Sequence, residues 1–240
     1  MTSPLASLPI SRKYPARAIT VRAPFGPGSP SLTLRPTVTT DAEAIADAIN
    51  ASLPELHRFM PWSHHPQTAL TQLERLKGTE ADFLNGRDIV MAFFEPATDL
   101  HPKDMLAMIG LHPRTPLNPA ALEIGYWAAT PHSRRGLTTL GVQLMTLYAF
   151  EKLGSDRVQV MCDELNVASR RVIEKCGFVF EGTLQNVTHA APPELVEKGF
   201  LHSGRNPMFA LVPESFAALE WPRELRARVS YTNFAGYLVA

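Results

Sequence analysis

The spacing of hydrophobic and polar positions changes near Leu122. Before this point, short apolar runs of strand length stand between proline-containing segments, and the clearest runs cover residues 89–94 and 105–111. Such runs predict strands that are joined by hairpins. After this point, strand-like runs alternate with longer stretches of helical spacing. The change predicts a mixed sheet that is antiparallel in its first part and parallel in its later part.

The same pattern predicts the elements one by one. Alternation predicts a short strand at residues 19–22 that pairs with a first core strand at 32–35. Helical spacing predicts helices after Thr40 or Asp41, at 53–62 and at 67–83. The later elements are strands at 122–127, 157–162, 178–184 and 207–212, with helices at 138–153 and 168–176. A final helix, interrupted at Pro222, is predicted from 213 to 229.

Composition excludes several classes of function. Of the 240 residues, 45% are apolar, and 23 Lys and Arg residues balance 23 Asp and Glu residues. A chain without excess charge has no bulk attraction for nucleic acid or for an acidic membrane surface. No run approaches the roughly 18 apolar residues of a membrane span, and the N-terminus lacks the pattern of a secretory signal. We therefore expect a soluble, cytoplasmic protein.

Metal and disulfide chemistry also find little support. The two cysteines, Cys162 and Cys176, both stand in apolar surroundings, which predicts reduced core thiols. His64 and His65 are adjacent and lack the i, i+4 spacing that places two imidazoles on one metal. No metal site is predicted.

A turn rich in hydrogen-bond donors precedes the helix at 138–153. The free amides at the start of a helix and the positive end of its dipole form an anion site. Gly136 permits close approach to the backbone. Arg134, Arg135, Thr138 and Thr139 add charge and hydroxyl donors. On these residues alone the turn fits a solvated helix cap as well as a phosphate site, because the glycine spacings of nucleotide-binding loops are absent.

Two blocks resemble the GNAT superfamily of acetyl-CoA-dependent N-acetyltransferases. The first block, residues 123–127 followed by Pro131 and Arg135-Gly136, resembles that family's central strand and pyrophosphate loop. The second is Asn166-x-x-Ser169-x-x-Val172-x-Glu174-Lys175-x-Gly177-Phe178-x-x-Glu181-Gly182. It is similar to the ribosomal-protein N-terminal acetyltransferase branch, the RimJ/RimL type. Residues 59–62 also resemble the pocket helix of that branch.

The resemblance implies an α+β fold of three layers. Its mixed, mostly antiparallel sheet has helices on both faces and a V-shaped opening between the fourth and fifth strands. The acyltransferase domain would cover residues 31–212, between an N-terminal extension at 1–30 and a C-terminal extension at 213–240.

The resemblance also implies where acetyl-CoA binds. Its pantetheine arm would pair with the backbone near Trp127 and Ala128, and Asn166 would contact it. The pyrophosphate would lie on the amides of Arg134, Arg135, Gly136, Leu137, Thr138 and Thr139. The family usually has Gln or Arg at position 133, Gly at 134, and Gly or Ala at 138. The bulkier residues found here leave open a weaker or altered binding of the carrier.

Catalytic candidates follow from the same comparison. Glu123 shares a strand face with Gly125 and Trp127 and is the leading base, although a surface carboxylate would have the same pattern. Many relatives use a tyrosine as general acid at the position of Ile173. Ser169 is the alternative donor towards the sulfur, and it would equally suit a local bond at the start of a helix.

The acceptor site is expected around Phe59, Trp62 and the loop after Leu184, where His189 is an alternative base. The favoured function is acetyl transfer to a primary amine, with a peptide or protein N-terminus ahead of a small-molecule amine. The alternative is a non-catalytic CoA-binding module or sensor. No nucleic-acid or membrane partner is expected. A homodimer is considered because four aromatic residues of the C-terminal extension offer a self-association surface, namely Trp221, Tyr231, Phe234 and Tyr237.

Overall fold

A computed structural model describes residues 18–60, 62–63, 65–95, 104–113, 118, 120–188, 191, 193–233 and 238–239. Its ten-stranded sheet has the order β10-β9-β1-β2-β3-β4-β5-β6-β8-β7. The strands are β1 Ala18–Val21, β2 Leu32–Pro36, β3 Ile89–Phe94, β4 Met105–Pro113, β5 Ala121–Ala128, β6 Arg157–Met161, β7 Val179–Gln185, β8 Arg205–Leu211, β9 Val229–Thr232 and β10 Leu238–Val239. The α-helices are α1 Ala42–Asn50, α2 Leu53–Leu56, α3 Ala69–Leu84, α4 Leu137–Glu151, α5 Val167–Lys175, α6 Pro193–Val196, α7 Pro213–Ala217 and α8 Trp221–Arg226. Short 3-10 helices cover Thr39–Asp41 and Thr130–His132.

The sheet is mixed and mostly antiparallel, which confirms the predicted fold class. The expectation of a parallel later part is correct only for β5 and β6, the one parallel pair among the described strands. β7 does not lie beside β6, because β8 runs antiparallel between them. The helical connections do give β6 and β7 the same direction, but local sequence does not show which strand fills the position between them.

β5 and β6 separate soon after they begin. Their register joins three residue pairs, from Ala121 with Arg157 to Glu123 with Gln159. β5 then continues to Ala128 without β6 as its neighbour, while its other edge stays paired with β4 throughout. Counted from β2, these are the fourth and fifth core strands, so the predicted V-shaped opening is confirmed.

Helices cover both faces of the sheet. On one face α4 is apolar almost all round, and it packs with Ile173 and Phe209 in the larger core. Gly141 lets α4 lie close to β4, since a Cβ atom there would come within 2.8 Å of Ile109 Cγ1. On the other face α1 and α3 pack over β3 and β4, with Ile49 and Trp127 in a second core. No described helix has the length and apolar character that crossing a bilayer requires.

Both chain extensions contribute strands. β1 pairs with β2, as predicted, and also with β9. The prediction of a helix at 213–229 is wrong in two respects, because α7 and α8 are separate and β9 follows them. Pro222 lies in the first turn of α8, where a proline is tolerated, so it starts a helix rather than interrupting one.

Two aromatic residues of the C-terminal extension, Trp221 and Tyr231, pack against other parts of the same chain. Tyr231 is buried, with its ring centroid 5.9 Å from that of Tyr148. The Trp221 indole donates to the Cys176 carbonyl at 3.1 Å. Phe234 and Tyr237 lie outside the described residues. Cys162 and Cys176 are both buried free thiols, as predicted.

The helix predicted at 53–62 is shorter than expected. It ends at Leu56 and continues as turns through Met60, whose amide donates to the Leu56 carbonyl at 2.7 Å. The early end fits the proline at position 61, because the residue before a proline is disfavoured in helical conformation.

Candidate active site

Glu123 lies at the vertex of the V-shaped opening, in the last residue pair that joins β5 to β6. Gln159, its partner, donates from Nε2 to Glu123 Oε2 at 3.2 Å. Gln159 in turn accepts from Arg157 Nε at 3.0 Å, and Arg157 forms a two-bond ion pair with Glu181. This ion pair lowers the pKa of Glu181. The Glu123 carboxylate therefore belongs to a polar network at the point where the strands diverge.

Ser169 reaches the opening from the other face of β5. The Tyr126 and Ser169 hydroxyl oxygens are 2.9 Å apart, and the Tyr126 hydroxyl also donates to the Ser169 carbonyl at 3.2 Å. Tyr126 differs from Glu123 by three positions, so the two side chains leave the strand on opposite faces. The structure thus brings Ser169 together with Tyr126, and it does not bring Ser169 together with Glu123.

Tyr126 is a functional candidate that the sequence analysis missed. Burial raises the pKa of its phenol, so the group stays protonated at neutral pH and remains a proton donor. Ile173, at the position where many relatives have tyrosine, is fully buried. The sequence alone indicated only that positions 126 and 123 lie on opposite faces of the strand, and the contact of Tyr126 with Ser169 required the folded chain.

Asn166 and Cys162 complete the surroundings of Ser169. Asn166 caps α5 through its side-chain oxygen, which accepts from the Ser169 amide at 3.0 Å. Because Asn166 Oδ1 caps the helix, the side-chain nitrogen Nδ2 is the group that would bind a ligand. Burial raises the pKa of the Cys162 thiol to about 11, although a hydrogen bond with Ser169 acts in the opposite direction. Cys162 is therefore a thiol and a poor nucleophile at neutral pH.

The turn before α4 has the backbone shape of an anion cradle. Arg134 has a φ of 64° and Gly136 a φ of 78°, both in the left-handed region. A turn of this kind presents successive amides to one concave side. The family's usual glycine at position 134 fits this conformation, which Arg134 adopts at some strain. The amides that begin α4 lack carbonyl partners within the helix.

The side chains of this turn divide between solvent and core. Arg134 and Arg135 are exposed, Thr138 and Thr139 are partly exposed, and Leu137 is buried, so Leu137 offers only its amide. Arg135 donates to Glu95 at 3.2 Å and lies 3.1 Å from His132 Nδ1. The charge of Arg135 is therefore partly neutralised by Glu95. The phosphate-binding prediction for residues 134–139 stays a prediction.

The N-terminal extension reaches this turn. A Cβ atom on Gly136 would lie 3.4 Å from Cε1 of Phe25, whose side chain is 52% exposed. Sequence reasoning did not connect these residues, because only the fold brings position 25 next to position 136. An exposed aromatic ring therefore stands at the edge of the anion cradle.

Trp127 and Trp62 meet on the α1 side of β5. Their ring centroids are 6.0 Å apart, with Trp127 buried and Trp62 45% exposed. The Trp127 ring packs in the second core, so only its backbone, together with that of Ala128, faces the opening. One predicted carrier residue and one predicted acceptor residue thus stand in contact.

Phe59 is held by the segment that precedes β8. Its carbonyl oxygen is 2.7 Å from His202 Nε2, and the Arg58 carbonyl accepts from the Leu201 amide at 2.8 Å. Buried Asp163 fixes that segment by accepting from the amide and hydroxyl of Ser203 at 2.8 and 3.1 Å. The acceptor wall around Phe59 is therefore joined to the β6–β8 side of the opening. His189, the other predicted acceptor residue, lies outside the described residues.

A second polar pair lies across from Glu123. His112 is its cross-strand partner on β4, and His112 Nδ1 is 2.6 Å from Asp88 Oδ1. Position 112 looked like part of a loop in the sequence, and Asp88 stands 24 residues away. The β3–β4 register brings them together, and nothing local predicts that register.

A cavity of about 460 Å³ lies apart from the vertex, between α1 and the 3-10 helix at Thr130–His132. Three carboxylates line it, those of Glu43, Asp47 and Asp104. A carboxylate lining repels phosphate, so this cavity does not suit the carrier. Across the described ranges, no group of three or more His, Cys, Asp or Glu side chains could hold a metal ion.

Residues 31–179 match the family described as the acetyltransferase (GNAT) domain. The chain therefore belongs to the GNAT acetyltransferase family, which confirms the resemblance and the expectation of an N-acetyltransferase. A curated relative is the putative ribosomal N-acetyltransferase YdaF of Bacillus subtilis (strain 168). It is 31% identical over 155 residues, which cover 63% of this chain and 79% of YdaF.

Solved structures share the fold. RimJ of Mycobacterium smegmatis, in complex with CoA-disulfide, has a TM-score of 0.67 at 19% identity, over 88% of this chain and 95% of RimJ. RimL, described as a ribosomal L7/L12 alpha-N-protein acetyltransferase in complex with coenzyme A, has a TM-score of 0.64 at 19% identity. That match covers 82% of this chain and 99% of RimL. These likenesses show that the chain shares the fold of both structures.

Proposed function

We propose that this protein transfers the acetyl group of acetyl-CoA to a primary amine, with the α-amine of a peptide or protein N-terminus as the favoured acceptor. One observation carries the proposal. Among the described strands, none pairs beyond Glu123 with the edge of β5 that faces β6, and this edge leads towards the amide-rich turn at residues 134–139. The amide-bearing pantetheine arm of CoA would pair with the edge of β5, and the pyrophosphate that follows it would bind the amides of the turn.

The residues present fit the carrier. The unpaired backbone of residues 124–128 supplies donors and acceptors for pantetheine, as a neighbouring strand would. Gly136 lacks a Cβ and lies in the left-handed region, so a phosphate can approach the amides that begin α4. Arg134 adds an exposed charge beside them. Two structures of similar fold, RimL and RimJ, contain coenzyme A or CoA-disulfide, which supports a CoA carrier as the ligand here.

The reaction joins the acceptor nitrogen to the thioester carbonyl carbon and breaks the carbon–sulfur bond. In this proposal the leaving thiolate takes a proton from the Tyr126–Ser169 pair, which is supported by the 2.9 Å contact between the two hydroxyl oxygens. The acceptor must arrive as a neutral amine. At pH 7 neutralisation costs about 1 kcal/mol for an α-amine of pKa ~7.8 and about 4–5 kcal/mol for a lysine-like amine of pKa ~10.4.

That difference favours an α-amine, for which a weak base suffices. The acceptor would lie on the α1 side of β5, where Trp62 and Phe59 stand at the surface of the opening. Rings in such a position suit an extended peptide end. The name of the YdaF relative agrees with a ribosomal-protein acceptor, and a small-molecule amine is the next choice.

The second candidate function is a CoA-binding module or sensor without catalysis. Two observations favour it: Arg135 is engaged by Glu95, and Ile173 stands where many relatives have a catalytic tyrosine. Under this hypothesis CoA binds and no amine accepts the acetyl group. The Tyr126–Ser169 pair argues for catalysis, because a binding module needs no proton donor at the end of the pantetheine arm.

The test measures thiol release from acetyl-CoA with a panel of peptides and small amines, with product masses as confirmation. We expect α-amine peptides to be acetylated faster than lysine side chains in N-terminally blocked peptides. Calorimetric CoA titration runs in parallel. If CoA binds but no amine is acetylated, the binding module replaces the transferase proposal. If CoA does not bind and no amine is acetylated, both proposals are overturned.

A further inference from the structure

Asp88 and His112 form a hydrogen-bonded pair at the start of β3 and the end of β4. The Nδ1–Oδ1 distance is 2.6 Å, and the two side chains are 26% and 32% exposed, for His112 and Asp88 respectively. A carboxylate beside Nδ1 accepts the Nδ1 hydrogen and fixes the ring's orientation and tautomer. In the neutral ring Nε2 then carries the lone pair. The pair therefore presents an oriented proton acceptor.

The His112 imidazole packs against two glycines that face each other on neighbouring strands. Gly110 on β4 and Gly125 on β5 are cross-strand partners. A Cβ atom on Gly110 would overlap Nε2 and come within 2.6 Å of Cε1, so the ring occupies the space that a side chain there would fill. A Cβ atom on Gly125 would lie 3.5 Å from Nε2, an ordinary contact distance. Nε2 therefore lies against the sheet surface formed by the two glycines, closest to Gly110 and within contact distance of a side chain at Gly125.

Gly125 lies where the reaction is proposed to occur. It is two residues beyond Glu123, at which pairing with β6 ends, and two residues before Trp127, which contacts Trp62. All three positions of β5 share the face towards α1. An amine that approaches the opening past Trp62 would therefore come to Gly125 beside Nε2.

We infer that His112 is the general base that deprotonates the acceptor ammonium, and that Asp88 is its positioning residue. This inference rests on the proposed transferase function. His112 Nε2 takes one proton from the ammonium and passes it to solvent. The neutral nitrogen attacks the thioester carbon and the carbon–sulfur bond breaks. The amide nitrogen then releases its second proton to solvent, and the Tyr126–Ser169 pair takes up from solvent the proton that it gives to the thiolate.

The charges around the imidazole suit this role. Asp88 lies against Nδ1, and Glu123 faces the ring from β5. Arg75 on α3 is the cation that acts on Asp88, and burial lowers its pKa. Asp88 can accept the Nδ1 hydrogen bond of the imidazolium that forms when the ammonium gives up its proton.

The test compares wild type with His112→Gln and Asp88→Asn on a peptide α-amine, at pH 7 and pH 9.5. At pH 7 we expect kcat to fall about sixfold in His112→Gln, because neutralising an α-amine of pKa ~7.8 costs about 1 kcal/mol. At pH 9.5 such an amine is already neutral, so the variant and the wild type should have equal kcat values. KM for acetyl-CoA should stay unchanged. Asp88→Asn should show the same trend with a smaller loss.

Glu123→Gln provides the competing assignment. If that variant shows the pH-recoverable loss and His112→Gln does not, the base is Glu123 and the inference is overturned. A loss in His112→Gln that is equal at both pH values means a structural role and overturns it too. If the wild type acetylates no amine, both the transferase proposal and this inference fail. If the wild type is active and His112→Gln is equally active, only this inference fails.

A second variant tests the position without touching the pair. Gly125→Ala places a methyl group between Nε2 and the reacting centre, and the backbone at 125 is not in the left-handed region, so folding should persist. We expect a loss of kcat of at least about tenfold. Gly78→Ala, in an open position on α3, is the control and should leave kcat unchanged. A fully active Gly125→Ala enzyme would contradict an acceptor bound over Gly125.

Discussion

The hydroxyl groups of Tyr126 and Ser169 meet at 2.9 Å, one from the strand beside the opening and the other from the first turn of α5. Neither residue could supply this arrangement alone. The helix cap by Asn166 fixes the backbone of Ser169, and the partly buried phenol of Tyr126 contacts the Ser169 hydroxyl. The two hydroxyl groups are therefore held together before any substrate arrives.

Tyr126→Phe should lower kcat roughly tenfold to 100-fold while KM for acetyl-CoA changes little, because only the proton donor is lost. The measurement is steady-state thiol release with a peptide acceptor. Tyr231→Phe is the matched control, since Tyr231 is also a buried tyrosine whose pKa is raised by burial, and it lies outside the opening. Equal kcat values for the two variants would remove Tyr126 from the mechanism.

Cys162 should react slowly with thiol reagents at neutral pH. Burial raises its pKa to about 11, and the thiolate is the reactive form. We expect the rate of iodoacetamide labelling, followed by mass spectrometry, to rise about tenfold per pH unit between pH 8 and 10. Cys176, with a pKa raised to about 12 and no exposed surface, should react more slowly still. Complete labelling of Cys162 within minutes at pH 7 would contradict this environment.

Asp41 should be among the most sensitive positions for stability. It is fully buried, accepts two bonds from Arg35 at 2.8 and 2.9 Å, and accepts the Val38 amide at 3.0 Å. Asp41→Ala leaves those donors unpaired and should lower the free energy of unfolding by about 3–5 kcal/mol. Urea denaturation of the variant gives the value. A loss under 1 kcal/mol would mean that water replaces the carboxylate.

Glu181→Gln is the contrasting substitution. The ion pair of Glu181 with Arg157 is at the surface, so the loss should stay below about 1 kcal/mol. Arg157 lowers the pKa of Glu181, so this contribution is present above the unfolded carboxyl pKa of ~4.3 and is lost as pH falls through the lower folded value. Unfolding curves at pH 7 and pH 3 should therefore differ less for the variant than for the wild type.

Two helical glycines should respond oppositely to alanine. Gly141→Ala would push a Cβ atom against Ile109 and within 3.2 Å of Phe93, and should destabilise by about 1–3 kcal/mol. Gly78→Ala meets nothing within 4 Å and should stabilise by up to about 1 kcal/mol through helix propensity. The unfolding temperatures of both variants, compared with that of the wild type, test these two predictions. Stabilisation by Gly141→Ala would show that α4 can move away from the sheet.

The parts of the fold that follow from local pattern were predictable. Alternation at residues 19–22 and 32–35 indicated both β1 and its pairing with β2, and the resemblance supplied the opening between β5 and β6. Strand neighbours that are distant in sequence were not predictable, which is why the placement of β8 between β6 and β7 and the strand β9 were missed.

The candidate site shows the same division. Glu123 and Ser169 were identifiable by type and position, whereas their partners required the folded chain. Gln159 meets Glu123 only through the β5–β6 register, and Tyr126 meets Ser169 only because α5 crosses the opening there. The pair of Asp88 with His112 depends on the β3–β4 register in the same way. Residue types in the sequence indicate which functional groups are available. The register of the paired strands determines which of those groups come into contact.

The pairing of β1 with β9 has a consequence for the order in which the chain can be assembled. Ile19 leaves the ribosome early, but its cross-strand partner Tyr231 is made more than 200 residues later. During synthesis β1 can pair only with β2 until β9 has been made, and that edge of β1 stays open until then. The sheet of a protein with this topology is therefore completed late in synthesis, when the segment that contains β9 becomes available.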